Sequence, residues 1–246
     1  HANGYLPTET GKELTRIAKI TEDQFDQFSR RIKYNDNELE GDLVITSLDL
    51  ICPLLMPAIR TFQSKHPKVM VNYQTSEDIF KLEYGQAHVA VRTGGNATED
   101  DYVCIPFIDF SIGLFAHESY VNKHGIPSGV EAFHNHYFIL NAEDSEKPVM
   151  HKWLSQQVPA ANVKFRCASR LGQCTAIETG LGIGIMPKHE AQLNPSLVNV
   201  MPEQVWTVNN WIITHGDLHR SDKIQSFLEV LKSEGYRSEV ARLLGT

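Results

Sequence analysis

The chain has 246 residues, of which 41% are hydrophobic and 22% charged, and a formal net charge of -7. That composition is ordinary for a globular protein with enough core for one large domain or two small lobes. No apolar run reaches the ~18 residues of a membrane helix, and the acid excess opposes a DNA-gripping surface, whose affinity comes largely from Lys and Arg displacing counterions.

In chain order, Glu9 to Tyr34 contains no proline and one glycine, and Leu14, Ala18, Thr21, Phe25, Phe28 and Ile32 recur at intervals of 4, 3, 4, 3 and 4. That is a heptad seam, with charged residues filling the other positions. A helix of about 26 residues is roughly 39 Å long at the standard rise, and it is expected to pack on a copy of itself. An amphipathic helix folded onto its own domain is the other reading. Asn35-Asp-Asn-Glu-Leu-Glu-Gly41 is polar and turn-rich, and reads as the junction to a globular part.

Leu43 to Ser47 is a short β run. Pro53 suits a first helical turn, with Leu54, Leu55, Ala58, Ile59 and Phe62 on one face, and Val69 to Gln74 supplies a second strand. Strand, helix and strand at this spacing make a βαβ unit, the starting module of an open parallel sheet. Ligands of such sheets sit beyond the carboxyl ends of the strands, where Thr46, Ser47, Leu48 and Asp49 lie. A helix over Asp78–Tyr84, a strand over Ala87–Arg92, a loop at Thr93-Gly94-Gly95-Asn96, and strands near Val103–Phe107 and Ser111–Ala116 follow. A second set then runs through helices at Glu118–Lys123, Val130–His134, Val149–Gln157 and Leu171–Thr179. Its strands are Tyr137–Leu140, Val163–Ala168, Leu197–Val200 and Val208–Thr214, and Lys223–Ser233 closes the chain with an amphipathic helix. Two β/α sets joined by extended segments predict two lobes with a cleft between them.

Six motifs in order resemble the LysR-type family of bacterial transcriptional regulators. They are Leu6-Pro-Thr-Glu-Thr-Gly-Lys-Glu-Leu14; Gly41-Asp-Leu-Val-Ile45 with Leu54-Leu55-Met-Pro57; Phe62-x-x-x-His66-Pro67-x-Val69; His88-Val-Ala-Val-Arg-Thr-Gly94; Tyr120-x-x-x-His124-Gly-x-Pro127; and Gly180-Leu-Gly-Ile-Gly-x-Met-Pro187. The resemblance implies an α/β fold of two Rossmann-like lobes, as in type 2 periplasmic-binding proteins, preceded by a long N-terminal linker helix. It places the end of a DNA-binding domain and the dimerising helix at 1–40, lobe I at 41–117 plus 215–246, and lobe II at 118–214. It also implies a small-molecule effector, self-association as a homodimer or homotetramer, and promoter DNA bound through an N-terminal winged helix-turn-helix domain not present in this chain. No membrane partner is expected, and the location is cytoplasmic. The chain departs from the family pattern at His88, where an Asp is usual, and at Leu48 and Leu50, where hydroxyl residues are common. With Asp49 between them, a carboxylate-type effector is disfavoured at that end of the cleft.

The candidate effector contacts are Thr46, Ser47, Leu48, Asp49, Thr75, Ser76, Thr93 and Gly94 in lobe I, and Asn141, Ser169 and Arg170 in lobe II. Thr75-Ser76 and Ser169 also read as helix N-caps, each worth ~1 kcal/mol. Arg92 reads as structural, paired to a carboxylate. Leu14, Ala18, Phe25, Phe28 and Ile32 are the dimerising positions.

No catalytic residue, cofactor or metal site is expected. The sequence has no G-x-S-x-G, no phosphate loop with Lys and no H-E-x-x-H, and Gly180-Leu-Gly-Ile-Gly follows a helix where a dinucleotide fingerprint follows a strand. His134/His136 and His215/His219 lack a third ligand nearby. Two other functions compete with a regulator. A periplasmic-type solute-binding protein has the same fold but starts its first strand near its N-terminus. A cysteine-based redox sensor would use Cys167 and Cys174, although Cys167 falls inside a strand. The four cysteines (Cys52, Cys104, Cys167, Cys174) form no CxxC pair, which fits reduced cytosolic thiols.

Overall fold

A computed structural model of the chain describes residues 8, 10–11, 14–15, 17–18, 21, 25, 39–75, 87–94, 101–142 and 148–245. The first strand is β1 (Gly41–Ser47). A single 3-10 turn then leads into α1 (Cys52–Lys65), and β2 (Val69–Thr75) runs parallel to β1 in one unbroken register. Pro53 sits in the first turn of α1, where its missing N–H costs nothing. The expected face of this helix, Leu54, Leu55, Ala58, Ile59 and Phe62, is buried throughout. The expected helix at Asp78–Tyr84 lies outside the described residues.

The chain divides into two compact units, one spanning 1–108 and 209–243 and the other 109–208 and 244–246. In the first, β3 (Val89–Thr93) joins β1 in parallel, while β4 (Tyr102–Pro106) and β11 (Asn210–His215) complete a five-stranded sheet in the order β2-β1-β3-β11-β4. The sheet is mixed, because β11 pairs antiparallel with both β3 and β4. After α6 (Gly216–His219), α7 (Asp222–Lys232) lays Ile224, Phe227, Leu228 and Leu231 on the core, as the heptad-like spacing predicts. Phe227 meets Phe62 edge to face with ring centroids 5.5 Å apart, so α7 closes over α1. A further helix absent from the sequence reading, α8 (Glu234–Leu244), docks by Tyr236, whose buried hydroxyl donates to the Leu54 carbonyl at 3.0 Å.

The second unit is built on β5 (Phe110–His117), which pairs antiparallel with β8 (Gly184–Pro187), β9 (Leu197–Asn199) and β10 (Trp206–Val208). Strands β6 (Phe138–Leu140) and β7 (Val163–Arg166) make a separate parallel pair. The helices are α2 (Glu118–His124), α3 (Val149–Gln157), α4 (Arg170–Glu178) and α5 (Lys188–Ala191). Two expectations change here. The strand expected over Val208–Thr214 is two strands broken at Asn209, one in each unit's sheet. Strand β5, assigned by sequence to the first lobe, pairs among the described residues with strands of the second unit's sheet, so the chain divides at 108/109 and 208/209 instead of 117/118 and 214/215. Periodicity identifies a strand but says nothing about which distant strand it will pair with.

The glycines of Gly180-Leu-Gly-Ile-Gly serve this packing. Gly180 ends α4 with φ +77, the left-handed turn that favours glycine. At Gly182 a Cβ would stand 2.7 Å from the Tyr137 carbonyl oxygen, because the two backbones bond there.

Of the residues expected to dimerise, Leu14, Ala18 and Phe25 are helical, and Leu14 and Phe25 are each 68% exposed. Thr8 caps this helix by accepting the Gly11 N–H at 3.1 Å. Phe28 and Ile32 lie outside the described residues.

Candidate functional site

Three parallel strands of the first unit end together, and register places their last residues. Ser47 is opposite Thr75 on β2 and Val91 on β3, with Thr93 two residues further along β3. Thr46 and Ser47 are fully buried, Leu48 is half-buried, and Asp49 and Thr75 are exposed. The structure places Thr46, Ser47, Leu48, Asp49, Thr75, Thr93 and Gly94 at one end of the sheet. Ser76 lies outside the described residues.

The hydroxyls at this end belong to a network. Ser47 Oγ donates to the Leu48 carbonyl at 2.9 Å, so the Tyr73 hydroxyl, 2.6 Å away, is the donor in their mutual bond. Arg92 donates from Nη2 to Thr46 Oγ1 at 3.1 Å and from Nη1 to the Val91 carbonyl at 3.0 Å. Burial raises the Tyr73 phenol well above its usual 10, against the hydrogen bond it makes to Ser47 and with added repulsion from Cys52. Burial also lowers Arg92, partly offset by Tyr73. Tyr73 was not anticipated. Its signal was the period of two that puts it on the same face of β2 as Thr75. Gly94 turns the chain with φ +105, and its carbonyl accepts the Trp211 indole N–H at 2.9 Å, which ties the end of β3 to β11.

In the second unit, the pairing of β6 and β7 continues one step beyond the strands. Cys167 N–H donates to the Leu140 carbonyl at 3.1 Å, and Ala142 N–H to the Cys167 carbonyl at 3.3 Å. Asn141 is thereby held beside the start of α4. Ser169 caps α4 by accepting the Gly172 N–H at 3.4 Å, which is its bland reading. Arg170, the first residue of α4, turns along the helix and donates from Nη1 to Glu190 of α5 at 2.6 Å. Gln173 Nε2 fixes the turn from β7 to α4 through the Cys167 carbonyl at 2.8 Å.

The four cysteines are free thiols. Burial pushes Cys174 up to about 11, with the Arg170 charge pulling the other way, so it holds little thiolate at neutral pH. The paired histidines each have a structural partner. His215 caps α6 through the Asp217 N–H, His219 Nδ1 meets Thr214 Oγ1 at 2.8 Å, and His134 and His136 bond the Glu131 carbonyl and the Tyr120 hydroxyl. Among the described residues no group of three or more His, Cys, Asp or Glu is placed to hold a metal ion, and no helix is long and apolar enough to cross a membrane.

Residues 36–235 match the LysR substrate binding domain family, which is four-fifths of the chain. The chain belongs to this family. It is 22% identical over 135 residues to the HTH-type transcriptional regulator PgrR of Escherichia coli K12, covering 54% of this chain and 45% of PgrR. It is also 22% identical over 183 residues to the HTH-type transcriptional activator TtdR of Escherichia coli UTI89, covering 72% of this chain and 59% of TtdR. The chain thus spans about half the length of the curated relatives it matches. The regulatory domain of CrgA, a LysR-type transcriptional regulator from Neisseria meningitidis, has the same fold. It superposes with a TM-score of 0.65 at 19% identity, covering 78% of this chain and 98% of that domain. The LysR substrate-binding domain has the type 2 periplasmic-binding-like fold, here as two α/β units.

Proposed function

We propose that this LysR-family chain is the effector-sensing, self-associating part of a transcriptional regulator. A small molecule binds at the strand ends of its first unit and shifts the population between two arrangements of the regulator. Linker helices carry that shift to winged helix-turn-helix heads on promoter DNA, in the cytoplasm. The family match over residues 36–235, with an exposed heptad helix ahead of Gly41, carries this reading. The same helix favours a regulator over a periplasmic-type receptor, and the raised Cys174 thiol disfavours a redox sensor. A binding role without catalysis suits strand-end hydroxyls engaged with one another instead of with a base.

The reading makes two tests. First, the purified chain is expected to be a dimer or tetramer by light scattering, and Leu14→Asp with Phe25→Asp is expected to yield monomer with the circular dichroism of the remainder intact. A wild-type monomer at high concentration would contradict it. Second, a metabolite screen by thermal shift is expected to yield compounds that also change Trp211 emission, since that indole bonds the end of β3. Thr93 is half-buried at the same strand end; Thr93→Val is isosteric but lacks a hydroxyl, and it should weaken those compounds about tenfold, the scale of one hydrogen bond of roughly 1.4 kcal/mol. Compounds that bind Thr93→Val undiminished would remove this end from the site.

A further inference from the structure

Four buried polar atoms in the second unit have no hydrogen-bond partner among the described residues: Arg170 Nε, both ring nitrogens of His189, and Glu190 Oε1. They come from two helices, α4 and α5, which both pack on β5 and β8. His189 is only 5% exposed and meets Phe110 of β5 edge-on at 5.2 Å. Unpaired buried polar groups cost stability, and clusters of them are rare in folded proteins. The Arg170–Glu190 ion pair at 2.6 Å ties α4 to α5 here, Arg170 Nη1 also reaches Cys174 Sγ of its own helix at 3.8 Å, and the Arg170 side chain is already 36% exposed.

We propose that Arg170, His189 and Glu190 form an acid-released latch on the first turn of α4. With His189 neutral, Arg170 is seated against Glu190 and α4 is tied to α5. When His189 takes a proton from solvent, two cations share a buried place with one carboxylate. That arrangement is unfavourable in low dielectric. Arg170, the more exposed partner of the ion pair, leaves, and the first turn of α4 is freed.

The charges around His189 support this order of events. Helix α4 carries the titratable residues Arg170, Cys174 and Glu178, and α5 carries Lys188 and Glu190; of these, the Arg170 charge is the one that acts on His189. Strand β5 presents Phe110, preceded by Asp109, and β8 carries no titratable group. Burial and then the Arg170 charge hold His189 below the usual imidazole value of 6.5, so the imidazole is neutral at pH 7.5 and the release belongs to the range below 6.5. Burial raises Glu190 while Arg170 draws it down, so the carboxylate depends on Arg170 staying in place. A histidine depressed in the folded state contributes stability above pH 6.5 that is lost as pH falls. Opening of α4 should therefore grow toward acid.

Only the consequence for effector binding rests on the function proposed above; the latch itself concerns α4 and is tested there. Hydrogen exchange of the whole chain is followed by mass spectrometry at pH 7.5, 6.5 and 5.5, with rates corrected for intrinsic chemistry, over peptides covering 168–178. Opening is expected to increase by up to about tenfold per pH unit below 6.5, the limit for one proton. His189→Leu, which suits the apolar contact with Phe110, is expected to abolish that increase, as is Arg170→Met, so either variant suffices if the other folds poorly. Glu178→Gln is expected to keep the increase, because Glu178 does not hold Arg170. No acid-dependent opening in the wild type, or a full response in His189→Leu, would overturn the latch. Opening as expected, with no compound from the screen binding either unit, would overturn the effector reading and leave the latch standing.

Discussion

Phe62→Ala is expected to destabilise the first unit by about 3–5 kcal/mol, the cost of removing a fully buried aromatic ring from a packed core. Phe62 is 0% exposed and holds three partners in place: its own helix α1, the edge-to-face ring of Phe227, and His66 with ring centroids 5.0 Å apart. No neighbour can fill the space cheaply, since Phe227 and Leu228 are themselves buried on the shared face of α7. At about 2–4 °C per kcal/mol for a chain of this size, the thermal midpoint should drop by roughly 6–20 °C. Calorimetry resolves which of the two units melts early. A drop of less than about 2 °C would mean that α7 relaxes into the cavity, and the packing of α1 on α7 would need another explanation. The strand-end hydroxyls would suffer with it, because α1 follows directly from β1 and the turn that carries Leu48 and Asp49.

Gly182→Ala is expected to have a comparable effect in the second unit for the opposite reason. The added Cβ would meet the Tyr137 carbonyl oxygen at 2.7 Å and its carbon at 3.1 Å, and a backbone cannot swing aside like a side chain. Separating the segments breaks the Ile183 N–H to Tyr137 carbonyl and Ile139 N–H to Ile183 carbonyl bonds, both 2.8 Å. Overpacking of about 1–3 kcal/mol and two lost bonds near 1 kcal/mol each bring the cost to roughly 3–5 kcal/mol. Gly235→Ala is the control: it lies on the exposed side of α8 with nothing within 4 Å of the new methyl, and should gain about 0.4–1 kcal/mol. Chemical denaturation monitored at Trp153 and Trp206, whose rings pack 5.3 Å apart in the second unit, reads both variants. An unchanged midpoint for Gly182→Ala would show that the contact with Tyr137 yields easily.

Much of the candidate site was legible because it follows from local order. A strand that ends in Thr46-Ser47 and turns directly into a helix must present those residues at the sheet's carboxyl end, whatever else the chain does. The same logic located Thr75, Thr93, Asn141 and Ser169. Tyr73 and Glu190 escaped it. Tyr73 reaches Ser47 across a strand pair 26 residues apart in sequence, and Glu190 reaches Arg170 from a different helix. Neither residue belongs to a motif, and only the pairing of elements brings them into range. Arg170 shows the difference most plainly: sequence offers it as a ligand contact, whereas its guanidinium is engaged with Glu190.

Sequence by itself determined most of the described elements and their buried faces, because hydrophobic period and helix-stop residues act over a few positions and need no partner. It determined the family too, since six short motifs keep their order and spacing. Tertiary structure alone decided that β5 leaves the first unit and β11 joins it, and that two adjacent strands at Asn209 separate into different sheets. Tertiary structure also decided that a histidine is enclosed beside an arginine, with no partner among the described residues for either ring nitrogen. Those outcomes depend on hydrogen bonds and desolvation between residues far apart along the chain, which local pattern does not encode.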